Sequence, residues 1–547
     1  MRKKIILRKM KMFFCMRARA LGFLLVVTIF LTASPDFISA LENTDQELNI
    51  LEGNRIELPL KSVIVLALKN NLQIAFARLN PEVSHTDIMG KESVYDPDVS
   101  LQFSKTRDVN QVGNILSGAG KDTVYQESHG LDLGVTKTFV TGTSAELNWT
   151  LSDSTTDFLF QTLVPQYKSE LSISLTQPLL KDFGIAVGKS MIKIANLNFK
   201  ISQSQFKSKV MDILYQTEQY YWNLFFQLED LEARKKSLKL AEDLLRQHKI
   251  KIEAGTLAPI EIYQAEAEVA ERKQDLIVAR DLVRDTEDKL KSALNLYEQE
   301  RYWDLVIIPA DEPRAVALRE DLQEGIKQAF AYRPDYLQAK LDIESKNIMV
   351  KYTKNQVLPR VDLIGTLGTM GLGGRTNPEA SSFMGGGGGE VTNPWARHWD
   401  DVADSMASGD FYNYTVGIKI EFPLGNRYAE SQYSRAKIQA AQAVTYLKDV
   451  ENSVVNEVRE AVRQIDTNLE RLEAANASLR LSREKLKAEE KKYEVGLSTT
   501  HDLLEFQDDL ARSESRLALA RADYEKSLAN LARVKGVLLE GHNIVIN

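Results

Sequence analysis

The hydrophobic pattern of this chain is written twice. Leu224, Leu231, Leu238 and Leu245 recur every seven residues, meet a turn at Gly255, and are followed by Ile262, Val269, Leu276, Val283 and Leu290. The second ladder runs Ile465, Leu472, Leu479 and Leu486, meets a turn at Gly496, and continues Leu503, Leu510, Leu517, Tyr524 and Leu531. The offset is constant (496 − 255 = 241; 486 − 245 = 241), so the copies agree in helix phase as well as in composition. The first copy predicts a helix over about 188–254, a rod on the order of 100 Å long. Pro259, placed in a first helical turn, then opens a returning helix that ends near 296. The second copy predicts a rod over about 428–493 and a last helix to about 537. Seams of this kind bury themselves only against neighbouring helices.

Ahead of each rod the period changes. Short helices are expected near 60–69 and 72–93, and Pro97 marks the switch to alternation. Val99, Leu101 and Phe103 alternate with Ser100, Gln102 and Ser104; Leu131, Leu133 and Val135 begin a second such segment. After the turn at Thr141-Gly142, Ala145, Leu147, Trp149 and Leu151 alternate with Glu146, Asn148 and Thr150, and a last strand carries Leu171, Ile173 and Leu175. In the second half a short helix near 322–331 is stopped by Pro334, and a longer one covers about 336–356. Pro359 opens a strand with Val361, Leu363, Gly365 and Leu367, and another carries Tyr414, Val416, Ile418, Ile420 and Phe422. Between these two strands, a segment with the glycine run 385–389, Trp395 and Trp399 reads as a surface loop. No Lys-Ser/Thr follows the glycines, so it is not a phosphate loop.

Each strand has one apolar and one polar face. In water such a sheet covers its apolar face with a core. Here the flanking helices are too long to fold back as a cover, so the apolar face is expected to meet lipid and the polar face a wet lumen. One chain supplies too few strands for a porin-sized barrel, so several copies must share one.

Targeting and charge fit this reading. Eight basic residues within the first nineteen precede an apolar run over residues 21–31, with Ala33 or Ala40 as small-residue cleavage positions. Residues 1–40 are read as a signal peptide, 41–58 as an acidic lead, 59–310 as the first repeat with strands over about 97–178, and 311–547 as the second with strands over about 359–424. Cys15 is the only cysteine and precedes the apolar run, so the exported chain is expected to carry neither disulfide nor lipid. The net charge of −7 argues against nucleic acid as a partner. Six scattered histidines show no metal-ligand spacing, and no nucleophile motif is present, so neither enzyme chemistry nor a cofactor is expected. The Tyr220-Tyr221-Trp222 cluster is read as helix packing.

Together these residues resemble the TolC-type outer-membrane efflux channel family. The resemblance rests on the strand-to-helix junctions at Gln177-Pro178-Leu179 and 422–427, where Pro423 and Leu424 recur. It rests also on the turn at 493–499 continuing into Asp502-Leu503-Leu504. It implies a mainly α fold with β: antiparallel coiled-coil helices forming a periplasmic α-barrel, plus a share of a transmembrane β-barrel built by a homotrimer. It further implies docking of the turns at Gly255 and Gly496 to a periplasmic adaptor, an inner-membrane pump as the driving partner, and no cofactor. In that family acidic residues after the second turn line the closed periplasmic mouth. Asp502 and Glu505 fall on those positions, and Tyr493 falls on an aromatic of the same constriction. An acidic residue in a first helical turn also stabilises the helix dipole whatever its function. Glu261 and Gln264 stand at the equivalent first-half positions, so the acidic pair is half kept. The family's best-known members have two strands per half, and this first half offers two more, so the barrel has 12 or 18 strands. The competing reading is a periplasmic coiled-coil adaptor or scaffold without a pore.

Overall fold

The computed structural model describes residues 54–112, 122–313, 320–378, 380 and 393–545. The signal peptide, residues 41–53 of the lead and the glycine run 385–389 lie outside the described residues. The chain divides into Met1–Ile56, of which residues 54–56 are described, and a single unit, Glu57–Asn547, which carries everything below.

The two rods are α3 (Ser190–Glu253) and α8 (Arg427–Glu494), and the returning helices are α4 (Ile260–Ala293) and α9 (Thr500–Val534). Their ends keep the repeat: 253 + 241 = 494 and 293 + 241 = 534. Toward the sheet the second helix of each layer is supplied by α1 (Leu60–Asn70) and α2 (Leu72–Glu92) in the first half. In the second half it is supplied by α5 (Leu322–Tyr332) and α6 (Pro334–Gln356). Pro334 does more than stop α5. It occupies the first position of α6, where its missing N–H goes unused. Helix α3 packs against α4 and α9 near the turns and against α2 and α6 near the sheet, while α8 packs against α9 and α6. The unit is thus a layer four helices wide, with α2 and α4 on one side and α8 on the other.

The predicted seams are buried unequally. In α9, Leu517, Tyr524 and Leu531 are buried and join a core with Val454, Val458, Ile465, Leu472 and Leu479 of α8, while Leu503 is buried in a smaller cluster nearer the turn. In α4 the buried heptad positions are Ala265, Arg272, Ala279 and Thr286, whereas Ile262, Val269, Leu276 and Val283 are only half-buried. Ile260, Tyr263, Ile277, Val278 and Leu282 of α4 are exposed. An edge helix in one chain has a neighbour on one flank only, and the small residues lie where that neighbour approaches.

The Tyr221 ring is fully buried. Its hydroxyl lies 3.1 Å from the Leu58 carbonyl and 3.0 Å from an Asp311 carboxylate oxygen, which confirms packing rather than a binding box.

Six long strands form one antiparallel sheet: β1 (Asp98–Gln111), β2 (Thr123–Thr138), β3 (Ser144–Thr156), β4 (Leu163–Pro178), β5 (Arg360–Thr376) and β6 (Tyr412–Glu421), in that spatial order. Register aligns the apolar residues into rows across all six. One row is Val99, Val135, Leu147, Ile173, Leu367 and Tyr414; the next is Leu101, Leu133, Trp149, Leu171, Thr369 and Tyr412. Most of these apolar side chains are exposed, as a lipid-facing belt requires. On the same face of β1–β3 the belt gives way to charge at the end far from the helices. There Lys105 pairs with Glu127 at 2.6 Å and His129 with Asp153 at 2.8 Å.

One expectation fails. The segment before β6 contains a helix, α7 (Trp399–Ser408), rather than only loop. It lies on the apolar face of β4 and β5, where Thr369 donates to the Met406 carbonyl at 2.8 Å and Trp399 packs on Tyr167. Gly371 makes the seat, since a Cβ there would run into the Val402 carbonyl oxygen. Trp399, Val402 and Met406 share one helical face at spacings of three and four, a pattern too short to stand out among glycines.

Candidate functional site

At the end far from the sheet both rods turn by the same device. Gly255 and Gly496 adopt left-handed backbone, with φ of +75° and +78°. The Gly255 N–H donates to the Ile252 carbonyl and the Thr256 N–H to Lys251; Gly496 and Leu497 donate likewise to Tyr493 and Lys492. This double closure satisfies the last carbonyls of each rod and favours glycine. The two glycines predicted as turns are therefore required by the backbone itself.

The helices that follow start differently. Thr499 caps α9 reciprocally: its hydroxyl accepts from the Asp502 N–H at 3.2 Å, while the Asp502 carboxylate accepts from the Thr499 N–H at 3.3 Å. Hydrogen bonds from the Thr499 hydroxyl and then its N–H hold the Asp502 carboxyl below the usual carboxylate value. In the first half Pro259 stands before α4 without a side-chain cap, and Glu261 is the acidic residue of the first turn. Asp502 is half-buried and Glu505 is exposed one turn further along.

Tyr493 belongs to a cluster that sequence reading missed. Its phenol oxygen lies 2.6 Å from Nε2 of His248 on the other rod, with the rings stacked at 26°. Lys251 Nζ sits 4.8 Å from the centre of the Tyr493 ring. His248 is fully buried, Thr500 Oγ1 lies 3.5 Å from the same nitrogen, and Nδ1 has no hydrogen-bond partner. Burial pushes the imidazole pKa below its ordinary 6.5, against the opposing pull of Glu261. Leu244, Leu486, Leu503 and Leu504 pack beneath the pair as a small core.

A second tie lies about five turns of helix from Gly255. Arg272 on α4 is 4% exposed. Its guanidinium donates to the Ser237 carbonyl at 2.9 Å, to Gln507 Oε1 at 3.2 Å, to the Leu504 carbonyl at 3.0 Å and to Glu268 at 2.7 Å. One planar fork thereby spans α3, α4 and α9. An arginine on a heptad of alanines was the available signal, because such a position is buried in the layer. Tyr493, Glu505 and Asp502 thus lie on one end of the layer with both turns. Pro178, buried at the end of β4, and Pro423 and Leu424, exposed after β6, lie at the sheet end.

Two hairpins, a one-ended latch and a sheet with an exposed apolar belt define a known architecture. The family model described as outer membrane efflux protein matches residues 63–296 and 325–537. The chain belongs to that family. It is 22% identical over 349 residues to outer membrane protein TolC of Escherichia coli, covering 62% of this chain and 66% of TolC. It is 23% identical over 374 residues to the outer membrane efflux protein BepC of Brucella suis, covering 66% of this chain and 70% of BepC. The Campylobacter jejuni CmeC outer membrane channel has the same fold, with a TM-score of 0.59 at 16% identity over 88% of this chain and 86% of that one. As a member of the outer membrane efflux family, the chain is an outer-membrane protein that extends into the periplasm, and the family is one of channels rather than enzymes. A soluble adaptor with a single hairpin does not describe it. The sheet is the membrane end and the two turns form the periplasmic tip.

Proposed function

We propose that the chain is the exit duct of a tripartite export system: a homotrimer, passive, fed by an inner-membrane pump through a periplasmic adaptor that docks at the turns of Gly255 and Gly496. One observation carries this reading. The sheet and the helix layer are open on the same two sides, β1 with α2 and α4 on one, β6 with α8 on the other. Copies placed side by side close both layers into one tube, and in lipid an unpaired strand edge has no alternative to such closure.

In this tube the tip is a closed mouth. His248 and Tyr493 tie the two hairpins of one chain, Arg272 ties them again behind the tip, and three copies of Asp502 and Glu505 ring the opening. Such a ring attracts cations and repels anions. The cargo passes through water and is selected by the pump. Membrane fractionation tests the duct: a trimer in outer membranes that dissociates only on heating is expected, and recovery as a soluble monomer would end the proposal. Disulfide cross-links between cysteines placed on α4 and α8 are expected to join three chains and no more.

A further inference from the structure

We infer that the hairpin β2–β3 is part of the membrane wall, so that each chain contributes six strands and the trimer closes a barrel of 18. This rests on the duct reading above and deepens it, because strand number sets the width of the pore.

Three observations place the hairpin in the wall. It lies between β1 and β4 with unbroken antiparallel register on both sides, from Asp98↔Thr136 to Gln111↔Thr123 and from Ser144↔Thr176 to Ser154↔Gln166. A flap outside the membrane would leave β1 and β4 to pair with each other. Its apolar residues also stand in the rows of its neighbours: Val135 and Leu147 between Val99 and Ile173, Leu133 and Trp149 between Leu101 and Leu171. A register slip of one residue would turn them inward, so the alignment gives the hairpin the same solvent as the flanking strands. Third, its turn is anchored at the helical end. The N–H of Gly184, on the link between β4 and α3, donates to the Thr141 carbonyl at 3.0 Å.

Width agrees. Strands about 4.8 Å apart and tilted by about 40° each occupy roughly 6.3 Å of circumference. Six therefore span about 38 Å, the arc of four helices packed about 9.5 Å apart. Four strands would span only about 25 Å. With six, the sheet continues the helical layer without a taper, and the closed barrel is about 36 Å across its backbone against about 24 Å for 12 strands. The face opposite the belt is polar, with Ser100, Asn148, Thr150 and Ser174 beside the charged Glu146, Glu170 and Lys168.

Spin labels test the inference on the full-length trimer in lipid. Cysteines replace Leu147 in the hairpin and Leu367 in β5, two positions of one apolar row, and accessibility to oxygen is compared with that to a water-soluble nickel chelate. Lipid-type accessibility at both sites is the expected result. Lipid at Leu367 with water at Leu147 would overturn the inference and leave the duct standing, and water at both would sink the duct reading with it. Electron cryo-microscopy of the same sample gives the strand number directly: six per chain is expected, and four refutes it. Deleting residues 123–156 leaves β1 antiparallel to β4. That variant is expected to give a barrel about one third narrower, and an unchanged diameter would count against the inference.

Discussion

The His248 imidazole and the Tyr493 phenol, 245 residues apart in sequence, meet at 2.6 Å at the tip of the molecule. The contact joins the end of one rod to the end of the other, and His248 has no solvent exposure. The repeat does not duplicate it: 248 + 241 = 489 and 493 − 241 = 252, which are Glu489 and Ile252. Among the described residues this histidine–tyrosine tie therefore has no counterpart at the repeat-related positions, and it latches the two rods of one chain.

Breaking the tie should loosen the mouth. Tyr493→Phe keeps the ring and removes the hydroxyl, and is expected to raise the open probability several-fold, since a buried hydrogen bond contributes about 1 kcal/mol. Single-channel recording in planar bilayers measures it. An unchanged open probability would make the contact ornamental.

The latch should also respond to acid. Burial lowers the His248 pKa in the closed state, so a solvated imidazole in the loosened state binds protons more readily. Well above pH 6.5 both states are neutral and the closed state has its full stability. As pH falls below 6.5 the loosened state gains protons first and is favoured by at most tenfold per pH unit. Open probability is expected to rise on acidification, and His248→Gln should flatten that rise. An equal rise in the variant would show that His248 is not the sensor.

Arg272 holds three helices by one buried guanidinium. Arg272→Met removes the ties to the Ser237 and Leu504 carbonyls and to Gln507 and strips Glu268 of its cation, and about 3 kcal/mol of local stability should be lost, as when one partner of a buried ion pair is removed. Faster proteolysis near the turns with an intact barrel is the expected readout of limited trypsin digestion. Arg272→Lys, which cannot span the same partners, should recover only part of the protection.

Asp502 has two roles that substitution can separate. Thr499→Ala removes the cap, at about 1 kcal/mol, and leaves the carboxylate ring in place. Asp502→Asn keeps a side chain able to accept from Thr499 and removes the charge. If the ring controls ions, Asp502→Asn with Glu505→Gln should weaken block by multivalent cations while Thr499→Ala should not. Identical block in all three proteins would leave Asp502 as a cap only.

Gly255 and Gly496 are expected to tolerate alanine poorly for backbone reasons, each losing about 1 kcal/mol locally because of their positive φ. If adaptor docking uses these turns, pull-down of the trimer by its adaptor should fall in Gly496→Ala beyond the effect of an equally destabilising change at Thr499.

Much of the fold was legible because it repeats. Heptad spacing set the rods within a few residues of Ser190–Glu253 and Arg427–Glu494, and alternation located all six strands, since each signal is local and follows from the period of one element. The turns at Gly255 and Gly496 were readable for the same reason. Tertiary structure decided what depends on neighbours. Ala265 and Arg272 are buried in place of Ile262 and Val269 because α4 has a neighbour on one flank. The helix at Trp399 forms on a glycine-lined seat of β4 and β5. His248 lies seven residues before one turn and Tyr493 three before the other, and neither position carries a local pattern. They meet because two rods of similar length turn at the same height, which is the one property of the site that the doubled sequence encodes indirectly. Packing alone decides which side chains face each other across the gap.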